Sequence, residues 1–126
     1  MGCDIHFYAE RPVGDMWEEI PPPDQYPLGW YVDRNYVLFA LLAGVRNNDQ
    51  EPISEPRGLP KDVSPEVLAE AEHWGRDGHS HSWLTVDEAL AGIETSKTEW
   101  LGSLPQALHA IKAIHHKSRV VFWFDD

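Results

Sequence analysis

The stretch Cys3-Asp4-Ile5-His6-Phe7-Tyr8-Ala9-Glu10 alternates two kinds of side chain, and its reading decides the fold. Strand side chains alternate between faces. Cys3, Ile5, Phe7 and Ala9 therefore line one face, and Asp4, His6, Tyr8 and Glu10 the other. The first set is apolar and suits a core. The second holds groups that bind a metal, move a proton or grip a polar ligand. At the far end of the chain, Arg119-Val120-Val121-Phe122-Trp123-Phe124 reads as a second strand, apolar on both faces at its centre and so interior to a sheet. Its natural partner is the N-terminal strand.

Working inward, Trp17-Glu18-Glu19-Ile20 adds a short strand, joined to the first by a hairpin around Pro12–Asp15. The triplet Pro21-Pro22-Pro23 is extended and cannot enter a central strand. Asp33 is an expected N-cap for a helix from Arg34 to about Val45. Tyr36, Val37, Leu38, Phe39, Leu41, Leu42 and Val45 cover most of its circumference, which marks a buried central helix. Residues 47–63 form a long loop, and Ile53, Leu59 and several prolines argue that it is packed. Ser64-Pro65-Glu66 places a cap and a first-turn proline before a helix that runs to Trp74 and stops at Gly75. Thr85-Val86-Asp87-Glu88 is a capping box whose helix ends near Gly92. Ser103-Leu104-Pro105-Gln106 is a second, opening a helix to about His116 with Leu104, Leu108, Ile111 and Ile114 as its apolar stripe. The order β, β, α, loop, α, α, α, β predicts one α+β domain over residues 1–126. Its small antiparallel or mixed sheet is built from the N- and C-terminal strands and packed by the central helix and further helices.

Bulk properties narrow the function. The chain has 126 residues, enough for a real core. Its 21 acidic and 10 basic residues give a net charge of −11, which argues against double-stranded nucleic acid as a partner. A small anionic ligand stays open, because a few arginines can build a local positive pocket. No apolar run suits a membrane span, and no basic-then-apolar leader opens the sequence. A single Cys permits no intramolecular disulfide and fits a reducing cytosol. Cys3 reads as a buried thiol, and His115-His116 as structural residues closing a helix.

Two clusters carry the candidate chemistry. Asp4 and His6 share a strand face and can supply two metal ligands or an oriented general base; the plain alternative is a surface pair on an edge strand. In Asp77-Gly78-His79-Ser80-His81-Ser82, an extended backbone would put His79 and His81 on one side and Ser80 and Ser82 on the other. His-x-His is a metal-ligand spacing, and His-x-Ser resembles half of a two-histidine phosphoesterase signature; the plain alternative is a polar capping loop. Asp4, His6, His79 and His81 are thus the expected catalytic residues, or the ligands of a divalent metal. Arg34 and Asn35 at a helix N-terminus, with Arg46 and Arg57, are expected to hold phosphate or carboxylate, or else to act as caps and loop ties. Tyr36 and Trp83 are candidates for stacking on a base, although tryptophan in a small domain usually belongs to the core. Ser80 and Ser82 complete the expected ligand contacts.

The blocks MGCDIHFY, DRNYVLFALLAGVRN, PISEPRGLP, DGHSHSWLT and VVFWFD together resemble a family of small bacteriophage and prophage proteins, with MGCDIH as its specific mark. The resemblance covers nearly the whole chain. It implies a phage origin and a setting in the host bacterial cytoplasm, and it carries no mechanism. Small phage proteins often counter host defences, some by binding or cleaving cyclic nucleotide signals. By that analogy, the leading expectation is hydrolysis of a phosphodiester-type bond in a small nucleotide. A non-catalytic sponge, with its pocket across the interface of a homo-oligomer, is the second. An acidic module that binds a host protein is the third.

Overall fold

The computed structural model describes residues 2–22, 30, 32, 35–45, 51–96 and 101–125. Strands β1 (Asp4–Val13) and β2 (Met16–Ile20) form the expected hairpin. They turn through Gly14-Asp15, with Gly14 at φ 61°, the left-handed position that a II′ turn reserves for glycine. Helices α1 (Tyr36–Ala43) and α2 (Pro65–Trp74) follow, then a single 3-10 turn over Gly75–Asp77. Strand β3 (Gly78–Thr85), helices α3 (Val86–Ser96) and α4 (Leu104–Ile114) and strand β4 (Arg119–Asp125) complete the order. The sheet is antiparallel throughout, in the order β2-β1-β4-β3. The α+β class and the pairing of the two terminal strands are as expected, and β4 is interior.

Several boundaries differ from the sequence reading, each for a local reason. Helix α1 starts two residues later than Arg34, because Asn35 is the cap: its Oδ1 accepts from the backbone N–H of Val37 at 2.9 Å and of Leu38 at 3.4 Å. Gly44, at φ 74°, ends it before Val45. Asp33 and Arg34 lie outside the described residues, as does Arg46. The Thr85–Glu88 box forms reciprocally, at 2.9 and 3.0 Å, but α3 runs past Gly92 to Ser96. Ser103 makes no side-chain cap bond to α4.

Gly92 sits inside α3 because Ile53 occupies its flank. A Cβ there would stand 2.4 Å from Ile53 Cγ1 and 2.6 Å from its Cδ1. Ile53 in turn donates its backbone N–H to Leu41 O at 2.7 Å, which fixes the packed loop expected from its aliphatic residues. Gly92→Ala is expected to cost about 1–3 kcal/mol by overpacking. Part of that cost should return in the Gly92→Ala/Ile53→Ala double variant, as read by urea unfolding.

The sheet has two covered faces. Ile5, Phe7, Ala9, Leu84, Val120, Phe122 and Phe124 pack against α1, α3 and α4 in the larger core. Tyr8, Val121 and Trp123 pack against Val67 and Ala71 of α2 in a smaller one, flanked by Leu59, Val63, Trp74 and Trp83. The polar face of β1 is therefore not a wet surface. A buried ion pair pins α2 to this face. The Glu10 carboxylate accepts from Arg119 Nε at 2.7 Å and from the backbone N–H of Ser64 at 2.7 Å. Ser64 also caps α2 through Val67 N–H, as its sequence predicts. Arg119 donates to Asp62 at 3.0 Å, and its guanidinium lies 3.8 Å from the Trp17 ring centre.

Candidate functional site

A β-bulge re-aims the two histidines of β3. Along β4, Trp123 alone separates Phe124, paired with His79, from Phe122, paired with Ser82. Two residues on β3, Ser80 and His81, therefore oppose one on β4, which defines a bulge. Ser80 takes φ 56°, an uncommon conformation for a residue with a Cβ. The result corrects the expectation of a shared histidine face. His79 turns toward Phe124 on the larger-core face, its ring centre 6.3 Å away, and its Nδ1 lies 3.0 Å from Ser80 Oγ. His81 turns to the α2 face and stacks on Trp123 at 5.6 Å. Ser82 returns to the larger-core face and is buried, its Oγ accepting from Arg57 N–H at 3.0 Å.

His6 occupies the same face from the other side of β4. It pairs with Trp123 in the register, and its ring lies 5.9 Å from Trp123 and 4.2 Å from Trp74 at the end of α2. His6 is only 8% exposed. Its Nε2 contacts Asp125 Oδ2 at 2.5 Å. With the proton on Nε2 the carboxylate accepts it, which fixes the tautomer and leaves Nδ1 with a lone pair. Asp125 is the diagonal cross-strand neighbour of His6, because Asp4 lies opposite Asp125. Asp4 is exposed at this strand end, beside rather than within the aromatic stack.

The fold thus brings His6 and His81 to one face, with the Trp123 indole between them, and sends His79 to the other. Among the described residues no group of three or more His, Cys, Asp or Glu side chains is placed to hold a metal ion. The expected four-ligand set of Asp4, His6, His79 and His81 does not form, since the bulge parts the two histidines of β3.

The expected anion grips also resolve into structural parts where they are described. Arg57 donates to Ser54 Oγ, to Trp83 O and to both carboxylate oxygens of Glu88, at 2.7 to 3.1 Å. That uses four of its five N–H groups, so Arg57 ties its loop to β3 and α3 rather than presenting a fork to a ligand. Asn35 caps α1. Tyr36 accepts from Cys3 N–H at 3.1 Å, and Cys3 is buried as expected. Trp83 lies under the Arg57 guanidinium at 4.7 Å. A cleft of about 650 Å³, lined by Leu41, Pro52, Ile53, Glu88, Gly92 and Thr95, lies by α3, away from both histidines of the α2 face.

Sequence reading missed Asp125, Trp74 and Trp123. Asp125 was within reach, because the predicted pairing of the terminal strands already places the end of β4 beside the start of β1. Trp74 and Trp123 look like ordinary core residues in a sequence, and nothing local sets them apart.

Electrostatics divides this face. On the β2 side, burial and the nearby carboxylates of Glu66, Glu70 and Glu10 push the Glu19 carboxyl up. Burial and Glu70 push the Tyr8 hydroxyl up as well. On the β3 side, burial and then His79 hold His81 below the usual imidazole value of 6.5, so it is neutral at pH 7. The unfolded chain then binds this proton first, so stability is complete above about pH 6.5 and is lost as pH falls below it. Glu88, drawn down to about 2 from 4.5 chiefly by Arg57, loses its contribution only in the more acidic window between those values. His81 is expected to lower the melting temperature as pH falls below about 6.5, against an opposing gain from Glu19, whose raised carboxyl favours the folded state as pH falls towards 4.5. His81→Gln should remove the His81 part of the profile and leave the fall below about pH 4.5 in place.

No family model, curated protein or solved structure matches this chain. The described helices include none long and apolar enough to cross a membrane.

Proposed function

We propose that the protein acts on a small nucleotide and hydrolyses a phosphodiester-type bond at the strand ends that carry His6 and His81. In a phage this would remove a cyclic nucleotide signal of the host. The observation that carries the reading is the short His6–Asp125 contact, nearly buried and shared on one sheet face with a histidine kept neutral. Two titratable groups in contrasting environments are the usual arrangement for an acid and a base. His81, unprotonated at neutral pH, takes a proton from the attacking water as its oxygen bonds to phosphorus. His6 acts as the acid when both ring nitrogens carry protons: Nδ1–H goes to the ester oxygen as the P–O bond breaks, while Nε2–H stays with Asp125. Asp125 holds the ring in one orientation. Phosphate would approach from the β3 side, away from Glu19, Glu66 and Glu70, where the exposed Arg76 stands two residues ahead of Gly78.

The test is incubation of the purified protein with a panel of cyclic and linear nucleotides, with and without EDTA, followed by HPLC. New product peaks are expected. Because no three donors converge among the described residues, they should persist in EDTA. Intact nucleotide with a raised melting temperature would instead establish sequestration. No product and no thermal shift would overturn a nucleotide role altogether and leave a protein partner as the reading to pursue.

A further inference from the structure

Three observations meet at the start of β3. The indole nitrogen of Trp123 is buried and, among the described residues, has no hydrogen-bond partner. Trp123 itself is fully buried, and burying an N–H without an acceptor costs on the order of 1–3 kcal/mol. Next, Gly78 stands against the same edge of the indole. A Cβ on Gly78 would lie 3.1 Å from Trp123 Cδ1, the carbon bonded to that nitrogen, and 3.4 Å from His81 Nε2. Finally, the bulge with its left-handed Ser80 is what turns His81 toward Trp123. Strained backbone of this kind concentrates at functional sites. A residue without a side chain, an unsatisfied donor and a re-aimed imidazole thus converge on one point.

We infer that Trp123 Nε1–H, at the indole edge that Gly78 covers without a side chain, donates to one oxygen of a phosphoryl group, with His81 beside it. This deepens the proposed function and rests on it: the group bound is the phosphoryl group of the nucleotide, and the oxygen is a non-bridging one. The indole N–H is a donor only, so it recognises an acceptor. In a dry setting a fixed donor of this kind offsets charge that builds on the oxygen during attack. His81 alongside is then within reach of the water that attacks the same phosphorus. The arrangement also accounts for glycine at position 78, where φ is unexceptional and backbone freedom is not what is needed.

The test is the indole region of the ¹H–¹⁵N spectrum of protein labelled at its six tryptophans. The Trp123 signal is identified by its Overhauser contact to the Gly78 α-protons. The probes are 3′,5′-cyclic AMP, a cyclic dinucleotide and inorganic phosphate. The Trp123 N–H proton is expected to move downfield at saturation with at least one of them. Gly78→Ala should abolish that movement while the other five indole signals stay in place. Trp123→Phe, which keeps a ring and removes the donor, should weaken binding about tenfold, the loss of one hydrogen bond to a charged acceptor. If the probes move the His6 and His81 imidazole signals and leave the Trp123 N–H unmoved, the inference is wrong and the proposed function stands. If no probe moves any of these signals, both fall.

Discussion

Arg119→Met is expected to cost about 3–5 kcal/mol, the penalty for leaving a buried charge without its partner. Domains of this size are stable by only about 5–15 kcal/mol, so the variant should sit near the edge of folding. The reason is geometric. Glu10 is 0% exposed and Arg119 4%, and the carboxylate divides its two oxygens between Arg119 Nε and the Ser64 backbone. Removing the guanidinium strands Glu10 in the smaller core and loosens the N-terminus of α2. It also strips the cation from the Trp17 ring. In urea the midpoint should fall by roughly 2–3 M. The Glu10→Gln/Arg119→Met double variant should recover most of the loss, since a neutral amide oxygen still accepts from Ser64 N–H and no charge is buried. A single-variant loss under about 1 kcal/mol would mean that water reaches Glu10 and that the pair does not pin α2.

His6→Gln is expected to lower product formation by about 10²–10⁴-fold, the usual range for a positioned acid or base. Asp125→Asn should cause a smaller loss, because it orients the imidazole without handling the transferred proton. The alternative is that His6 serves only packing between Trp74 and Trp123. A pH profile separates the two. If His6 is the acid and His81 the base, the rate falls on both sides of an optimum, and each variant removes one limb. If His6 is structural, His6→Gln lowers the melting temperature and scales the whole profile without changing its shape. Lys112→Gln, at an exposed pair with Asp87 remote from the site, is the control expected to match the parent in both readouts.

Much of the framework was legible because it depends on local rules. The alternation in β1 assigned Phe7 and Ala9 to one face and His6, Tyr8 and Glu10 to the other, and the sheet keeps that division. Ser64-Pro65 and Thr85–Glu88 announced their helices because a cap needs only residues three apart. The failures were also physical. A cap at Asp33 and one at Asn35 offer the backbone similar chemistry, and packing of Leu38 through Ala43 selects the second. Gly92 signalled a helix end, but its missing side chain makes room for Ile53, a contact 39 positions away in the chain and invisible to any local pattern.

The site was half legible for the same reason. Residue type and i, i+2 spacing drew attention to Asp4, His6, His79 and His81, since both are read along one segment. The sequence by itself determined the α+β class, the pairing of the terminal strands, the acidic charge and the presence of His6 on the polar face of β1. Only the tertiary structure decided that this face is covered by α2, that Asp125 and not Asp4 holds His6, and that Arg57 is bound to Glu88. It also decided that the bulge turns His81 toward Trp123 and His79 away. Alternation is a property of one strand and can be counted along it. Which residue faces which depends on register between strands, and one extra residue in β3 reverses the outcome for every side chain beyond it.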